Sequence, residues 1–568
     1  KLRLPWQYAY ATATGKVKYF NSPDGVSEIT VPNSYKEALQ HKNKEEFARA
    51  MDREFESHMT MKTWVLVKRS DVSRFRKIQK SRWVYDIKRD SNGTISKWKA
   101  RFVCCGFAQS AYYDYIPQYS HTVQFSTVRL LLTIAAQQGW EAHTTDIKTA
   151  YLYGEMEPGL NVWLEQPKGK EVKGPNGEDM VCLLQKALYG TKQGAARFEL
   201  KLKMTLKDMG CTFSEADPAM GIFRIDNERL YVLSYVDDLI IISTSKSVRD
   251  AFFTKLRAVF ETTELDPLTW CLGIRILQDA KRKVTTMDQE LYIEDLLKRF
   301  LCPAGTDSAR HKTIPATENI YKLPQLPKDS AEVAETESKY RSLVGCLLWV
   351  SSTTRPDIAF AVSVLSRYLS CAGKEHYKAA IGVLQYLMYT KAYKIRLGCP
   401  ADSTYGNSIP NGVGANDLLA FTDASFGDER PMGGFMINYM GSPIHWVSKR
   451  LTCTPLSSTE SEYLAATSAT VALIHLRDIL NFVGKDVFPQ GPSPLMCDNK
   501  AATQISENEI GTKVMKHIVR RIAWLREIIA DGAMRMIFLP GDVQLADIFT
   551  KPLAAARFHN LRRCFISE

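Results

Sequence analysis

The run Leu230-Tyr-Val-Leu-Ser-Tyr-Val-Asp-Asp-Leu-Ile-Ile-Ile-Ser243 constrains this chain more than any other stretch. Strand-forming Val, Ile and Tyr fill both arms, and an acidic pair, Asp237-Asp238, interrupts them. The pattern predicts two largely buried strands meeting at a two-residue tip made of those aspartates. Asp favours turns, so a solvent-exposed hairpin tip is the plain reading. Two adjacent carboxylates between buried strands, however, repel each other and cost desolvation unless something positive neutralises them. A divalent metal, itself facing phosphates, would do that. The local pattern leaves the two readings even, and a third carboxylate elsewhere decides between them.

One core rarely grows past ~250–300 residues, so a chain of 568 residues is expected to hold several domains. With 45% hydrophobic and 24% charged residues, the composition is that of a globular protein and not of a disordered one. The excess of 74 Lys and Arg over 62 Asp and Glu, a net charge of +12, suits a polyanionic partner. The 12 cysteines form no CxxC pair, and only Cys104-Cys105 are close together. They read as reduced thiols of an intracellular protein, with no zinc site. No apolar run approaches the ~18 residues of a membrane span, so no membrane partner is expected. The start, Lys1-Leu-Arg-Leu-Pro-Trp, has neither a signal-peptide core nor an initiator Met, as expected of a piece of something longer.

Residues 1–34 are weakly patterned, a leader of unknown role. Tyr35 to Phe55 reads as helical, with Phe47, Met51 and Phe55 near helical spacing, and Trp64–Val67 reads as a strand. Arg82–Lys88 and Ile95–Val103 form a hairpin about a turn at Asp90-Ser-Asn-Gly93, where Asn-Gly is a strong signal. Lys88, Arg89, Lys97, Lys99 and Arg101 project from that hairpin; such a run usually means a solvated sheet face. Thr127–Gln138 is expected to be a buried helix, and a strand is expected to end at Asp146. A long helical stretch through Leu188–Gly194 and Phe198–Lys201 follows. After the acidic hairpin come a helix (Val248–Phe260), a strand (Trp270–Leu277) and a helix (Asp288–Phe300). Pro-, Thr- and Ser-rich Cys302–Ser338 and Gly/Asn/Pro-rich Pro400–Asn416 bracket a helical block, Lys339 to about Thr390. The last block reads β-β-β-α-β-α: strands Leu418–Asp423, Gly433–Tyr439 and Pro443–Lys449, then a helix Thr459–Phe482 opened by a capping box Thr459-x-x-Glu462. A short strand Leu495–Cys497, a helix ending near Gly532, a strand Met534–Leu539 and a closing helix Val543–Leu553 complete it.

Asp146 at a strand end supplies the third carboxylate. Thr145-Asp-Ile-Lys-Thr-Ala-Tyr-Leu152, Leu188-Tyr-Gly-Thr-Lys-Gln-Gly194 and Tyr235-Val-Asp-Asp238 occur in the order and approximate separation of the reverse-transcriptase palm. Their wording resembles the copia-type group of LTR retrotransposons. So do Trp98-Lys-Ala-Arg-Phe-Val-Cys-Cys-Gly-Phe-Ala-Gln109, Glu165-Gln-Pro-Lys-Gly169, Leu272-Gly-Ile274 and Thr354-Arg-Pro-Asp-Ile-Ala-Phe360. The resemblance runs from about Ser34 to Leu553. It implies that Asp146, Asp237 and Asp238 bind metal, with the Ile147 carbonyl as a further ligand. Tyr151 matches the position whose ring lies under the incoming sugar, where bulk excludes a 2′-hydroxyl. Gln193 and Gly194 match the segment that packs on nucleotide and template, and Val236 lies where the turn meets the primer terminus. Lys99 and Arg101 fall where the fingers supply phosphate-binding cations, with Lys88 an alternative in register. Phosphate contacts of this kind position a substrate without reading its sequence.

A second set of acids is Asp423, Glu462, Asp498 and Asp547. Each alone has an ordinary role: a capping partner for Glu462, with Glu460 its rival for the site, and an N-cap for Asp498. In order on a β-β-β-α-β-α pattern, they resemble the ribonuclease H metal site. The loop Leu539-Pro-Gly-Asp-Val543 lacks the His that many such enzymes carry for product release. His517 stands in Lys516-His-Ile518, but Ala523 replaces a second His frequent in relatives.

The fold the resemblance implies is an α+β right-hand polymerase followed by a connection segment and an α/β ribonuclease H-like domain. Fingers, palm and thumb would span 35–300, the linker and connection 301–416, and the ribonuclease H 417–568. The implied activity is RNA- and DNA-directed DNA synthesis with hybrid-specific ribonuclease H cleavage, on two Mg²⁺ per site with Mn²⁺ able to substitute. Its partners would be an RNA template, a DNA primer, the RNA–DNA hybrid and dNTPs, together with integrase and capsid proteins of the same element; a homodimer is compatible. The expected location is the cytoplasm, inside virus-like particles, with nuclear entry of the product. The competing reading is a non-catalytic or host-adopted nucleic-acid-binding derivative.

Overall fold

A computed structural model describes residues 17–22, 25–89, 94–301, 311–398, 413–414, 417–427, 431–484, 486, 491–507 and 518–568. The turn expected at Asp90–Gly93, the start of the Cys302–Ser338 stretch, most of Pro400–Asn416, and Lys516 and His517 lie outside these residues. Within the weakly patterned first 34 residues, Val17–Ser22 and Gly25–Thr30 pair as an antiparallel hairpin.

The apolar run lies in the middle of a six-stranded sheet. Strand order is Asp266–Pro267, Glu141–Asp146, Asp238–Ser243, Glu228–Tyr235, Met220–Ile225 and Thr212–Phe213. Successive side chains of a strand point to opposite faces. Leu230, Val232, Leu239 and Ile241 share a core with Phe198 and Leu202 of helix Gly194–Asp208 and Phe252 of helix Lys246–Arg257. Tyr231, Leu233, Ile240 and Ile242 share another with Leu131 and Ile134 of helix Phe125–Gln138. Both faces are covered, which is why the run shows no polar alternation.

The tip differs from expectation by one residue. Tyr235 pairs with Asp238, so the turn residues are Val236 and Asp237, and Asp238 opens the second strand. The neighbouring strand fixes that register: Asp238 pairs with Asp146, and the Ile147 N–H donates to the Asp237 carbonyl at 3.0 Å. Val236 consequently sits at φ 62°, where a β-branched residue is strained and a two-residue hairpin ordinarily places Gly.

The helix expected from Leu188 begins only at Gly194. Gly190 takes φ 86°, and a Cβ there would lie 2.1 Å from the Cys104 carbonyl oxygen. The chain turns tightly against strand Ile95–Cys104 instead of coiling. The strand expected over Trp270–Leu277 is broken by a turn at Leu272-Gly273, both at positive φ.

The helical block comprises Ala331–Thr353, Ala359–Leu365 and Lys374–Tyr389. Between the first two, Arg355 is fully buried, donating to both carboxylate oxygens of Asp357 (3.0 and 2.8 Å) and to the Thr390 carbonyl at 2.7 Å. Such a charge survives burial because its donors are met. Arg129 makes the decisive link. From helix Phe125–Gln138 it donates to the carbonyls of Ile444 (2.7 Å), Thr353 (2.9 Å) and Ser352 (3.2 Å), and it lies 4.0 Å from the centre of the Trp446 ring. One side chain thus ties the six-stranded sheet's helix to the helical block and to the C-terminal sheet. A continuous apolar core runs through all three. The last residues return as well, Ile566–Ser567 pairing with Lys394–Leu397.

The C-terminal sheet has the order Ser442–Arg450, Met432–Tyr439, Leu419–Ala424, Ser493–Cys497, Met534–Phe538. The last two contacts are parallel. Helix Ser458–Val483 packs on it, but its cap is not the expected one. Ser457 is the N-cap and accepts from the Glu460 N–H, while the Glu460 carboxylate accepts from the Leu456 N–H. The box lies two residues earlier than predicted, which releases Glu462 from capping. Val543–Leu553, expected as a helix, forms the 3₁₀ turns Gly541–Val543 and Leu545–Phe549. Pro552 disfavours a helical Lys551 before it, and the α-helix begins later, at Ala555–Arg563.

Candidate active sites

The first acid set forms where strand Glu141–Asp146 ends beside the hairpin turn. Asp146 and Asp238 are cross-strand partners, and Asp237 occupies the turn next to them. Thr263 anchors this end from behind. Its hydroxyl accepts from the Asp146 N–H at 2.9 Å, and its own N–H donates to the Asp146 carbonyl at 2.9 Å. Burial, then Asp237, raises the Asp146 carboxyl to about 6. Burial, then Asp237 and Asp146, raises Asp238 to about 7. Acids held so that Asp237 discourages Asp146, and Asp237 and Asp146 discourage Asp238, from ionising have the electrostatics of a cation site. Ile147 is buried directly after Asp146.

Opposite the acids stand the expected cations. In the hairpin, Lys88 pairs with Lys97, Asp86 with Lys99 and Val84 with Arg101. Residues paired across a ladder, or two apart along a strand, share a face. Lys88, Lys99 and Arg101 are therefore together on one face and are not alternatives of register. All three act on Asp146, lowering its pKa against the effect of burial. Burial, with Arg101 and Lys88 beside it, pulls the Lys99 ammonium down to about 8. Arg101 lies 5.3 Å from the centre of the Tyr189 ring, and its buried Nε has no hydrogen-bond partner among the described residues.

Tyr151 is half-buried, its ring centre 4.4 Å from that of Tyr189. Gly194 permits this placement, since a Cβ there would come within 3.1 Å of the Tyr151 ring. Gln193 is buried, and its side chain is engaged. Its amide N–H donates to the Asp114 carbonyl (3.0 Å), and its oxygen accepts from Gln109 (3.2 Å). Sequence reading singled out neither Asp114 nor Tyr189, although Tyr189 and Gln109 both stand in quoted motifs.

The second set converges more tightly. Among the described residues, one ligand atom from each of Asp423, Asp498 and Asp547 lies within 4.8 Å of the others, as do atoms of Glu462, Cys497 and Asp498. The first set does not draw together to that distance. Asp423 comes from the central strand and Asp498 from the end of its parallel neighbour. Glu462 comes from the helix crossing the sheet, and Asp547 from a 3₁₀ turn. Glu462 accepts from the Ala424 N–H at 3.1 Å and from the Cys497 thiol at 3.6 Å. Burial first, then Asp423 and Asp498, pushes Glu462 well above the usual carboxylate range. Asp423 rises to about 6, with burial outweighing the nearby Lys551. Asp498 is raised too, by burial and then Asp547. Burial holds the Cys497 thiol well above its ordinary value, so the donors on offer are carboxylate oxygens. Hard oxygen donors suit Mg²⁺ or Mn²⁺.

Three further groups at this site escaped sequence reading. The Thr550 hydroxyl donates to Asp423. The Lys551 ammonium lies 2.7 Å from Asp547 Oδ1 and 3.6 Å from Asp423 Oδ2. Arg557 pairs with Asp547 Oδ2 and donates to the Gly541 carbonyl. Thr550 and Lys551 stand with Asp547 in the stretch Val543–Leu553, which was the available signal. Of the positions noted for histidines, Ala523 lies within helix Val519–Ala530.

Residues 61–317 match the family described as reverse transcriptase (RNA-dependent DNA polymerase). Over 542 residues the chain is 30% identical to the retrovirus-related Pol polyprotein from transposon TNT 1-94 of Nicotiana tabacum, covering 94% of this chain and 39% of that protein. Over 532 residues it is 29% identical to the Pol polyprotein from transposon RE1 of Arabidopsis thaliana, covering 92% and 34%. The chain belongs to the copia-type reverse transcriptases. This reverse transcriptase chain spans well under half the length of those curated relatives. Its fold is α+β: the stretch that matches the reverse transcriptase family is followed by a helical block and a C-terminal five-stranded sheet with helices packed on it. Among solved structures, that of the foamy viral protease–reverse transcriptase in complex with ds DNA aligns at TM-score 0.46 and 12% identity, over 95% of this chain and 74% of that one, too distant to carry an argument. No helix among the described residues is long and apolar enough to cross a membrane.

Proposed function

We propose that this chain copies the RNA of an LTR retrotransposon into DNA, on RNA and then DNA templates, and degrades the RNA of the hybrid at its second acid set. One observation carries the reading: cross-strand Asp146 and Asp238, with Asp237 beside them, face a single hairpin face bearing Lys88, Lys99 and Arg101. Acids opposite cations leave room for one kind of substrate, a polyphosphate whose charge both sides share. In this reading residues 35–300 are fingers, palm and thumb, 301–416 the connection, and 417–568 the ribonuclease H.

Lys88, Lys99 and Arg101 hold the triphosphate of a dNTP, and Val236 in its strained turn abuts the primer end. Asp146, Asp237 and Asp238, with the Ile147 carbonyl, would hold two Mg²⁺ in the first site, and Asp423, Glu462, Asp498 and Asp547 would hold two in the second. When bound, such cations activate the attacking hydroxyl or water and stabilise charge on the leaving oxygen. Gln193 and Gly194 shape the floor on which nucleotide and template rest, and the Tyr151 ring stands beneath the sugar. Shortening that ring opens space for a 2′-hydroxyl, so Tyr151→Ala is expected to improve rNTP incorporation relative to dNTP by about tenfold or more. Competition of each rNTP with its dNTP in single-nucleotide extension measures this; an unchanged ratio removes Tyr151 from the sugar site.

The test of the whole reading is extension of a DNA primer annealed to RNA, with dNTPs and Mg²⁺. Templated extension with shortening of the RNA strand supports both activities. Salt-sensitive binding without incorporation would replace them with a non-catalytic nucleic-acid-binding derivative.

A further inference from the structure

The stretch Leu545–Leu553 contributes more to the second acid site than Asp547. Its 3₁₀ turn Leu545–Phe549 is followed by Thr550 and Lys551, which reach Asp423 and Asp547 together. Asp423 and Asp547 are each 2% exposed, so their charges cannot be neutralised by bulk water and need partners. The partners present are unevenly divided. Asp547 has a cation on each oxygen, Lys551 on Oδ1 and Arg557 on Oδ2, and Lys551 also reaches Asp423. Among the described residues no ion pair joins Glu462 or Asp498, although both belong to the cluster. The Asp423–Asp547 half has protein cations in ion-pair contact, whereas among the described residues Glu462 and Asp498 have none.

The two cations also differ in kind. Arg557 is tied to the Gly541 carbonyl as well as to Asp547, joining the loop that lacks a histidine to the acid site. Lys551 bonds only to the acids it bridges among the contacts described, and its side chain is 41% exposed. A compact ammonium on a flexible four-carbon stem can leave for water and return at little cost.

We propose that Lys551 is a built-in counter-cation of the second site, holding the position between Asp423 and Asp547 that a divalent cation takes, so that metal enters this half by displacing it. The inference rests on the ribonuclease H reading of the site. It makes the two metal positions unequal: the one served by Glu462, Asp423 and Asp498 fills readily, and the one served by Asp547 fills only at higher metal concentration. Lys551 is thus a positioning residue that sets the metal requirement for cleavage, acting through the acids and not on the substrate.

The test is an equilibrium Mn²⁺ titration read by electron paramagnetic resonance on the full chain carrying Asp237→Asn, which weakens the first site. With Lys551→Met, which keeps the stem and removes the charge, the weaker Mn²⁺ is expected to bind at least about tenfold tighter. Lys551→Arg stays near the parent. The Mn²⁺-free melting temperature of Lys551→Met falls, and Mn²⁺ restores it. A second measurement needs no variant at this position: acetylation of Lys551, followed by mass spectrometry, rises severalfold when Mn²⁺ is added. Unchanged or weaker Mn²⁺ binding in Lys551→Met overturns the proposal, as does labelling indifferent to Mn²⁺. Hybrid cleavage by the unaltered chain is scored separately. Its absence alongside a shifted isotherm defeats the ribonuclease H reading alone, and its presence with an unshifted isotherm defeats only the counter-cation.

Discussion

Asp237→Asn lowers templated primer extension by about a thousandfold or more while leaving the fold intact. The size follows from the work asked of the site: metal-assisted charge stabilisation supplies several kcal/mol, and about 4 kcal/mol corresponds to three powers of ten in rate. The fold should survive because the three acids strain it when no cation is bound. Asp146 is raised to about 6 and Asp238 to about 7, by burial and by their acidic neighbours. A carboxyl raised in the folded state contributes stability that is full below its unfolded value, about 4, and is lost as pH rises through 6 to 7. At pH 8 without metal, the native site therefore carries uncompensated repulsion, and Asp237→Asn removes one of its sources. The variant should melt no lower than the parent at pH 8 in chelator, with any advantage vanishing at pH 5. Extension and thermal melting measure the two halves of this prediction. Extension that persists would end the assignment of the first site; a large drop in melting temperature would mean that Asp237 serves the turn and not a metal.

Asp498→Asn and Glu462→Gln are each expected to abolish the proposed cleavage of the RNA strand in a hybrid and to leave synthesis on a primed template within about twofold. The contrast that makes this informative is Glu460. Its carboxylate accepts from the Leu456 N–H at the start of helix Ser458–Val483, whereas Glu462 lies with Asp423 and Asp498. Glu460→Gln should keep cleavage and cost about 1 kcal/mol of stability through the weakened cap. The pair of variants exchanges one phenotype for the other. If Glu460→Gln lost cleavage and Glu462→Gln kept it, the geometry of the second site would be wrong by half a helical turn. Cleavage unchanged in Asp498→Asn would remove the strand end Ser493–Cys497 from the site.

Much of this was visible in the chain itself because it is local. The two apolar arms of the acidic hairpin, the strand that ends at Asp146, the helix expected over Thr127–Gln138 and the acids spaced along the C-terminal block follow from residue type and order. What went astray was what another segment decides. The tip moved from Asp237-Asp238 to Val236-Asp237 because pairing with Asp146 fixes the ladder. The helix expected at Leu188 yielded to a tight turn because Gly190 approaches the Cys104 backbone. The capping box shifted from Thr459 to Ser457, since two overlapping S/T-x-x-E patterns are equal in sequence and only packing against the acid cluster separates them.

By itself the sequence determined which acids could form two sites and the order in which the chain presents them, because both are written in strand ends and motif spacing. The tertiary structure alone decided that Lys88, Lys99 and Arg101 share one face opposite Asp146, that Arg129 binds three parts of the molecule into one core, and that Lys551 lies between Asp423 and Asp547. The physical reason is the same in each case. Charge acts through space, over a few ångströms between residues far apart in the chain, and only strand register and helix packing set those distances.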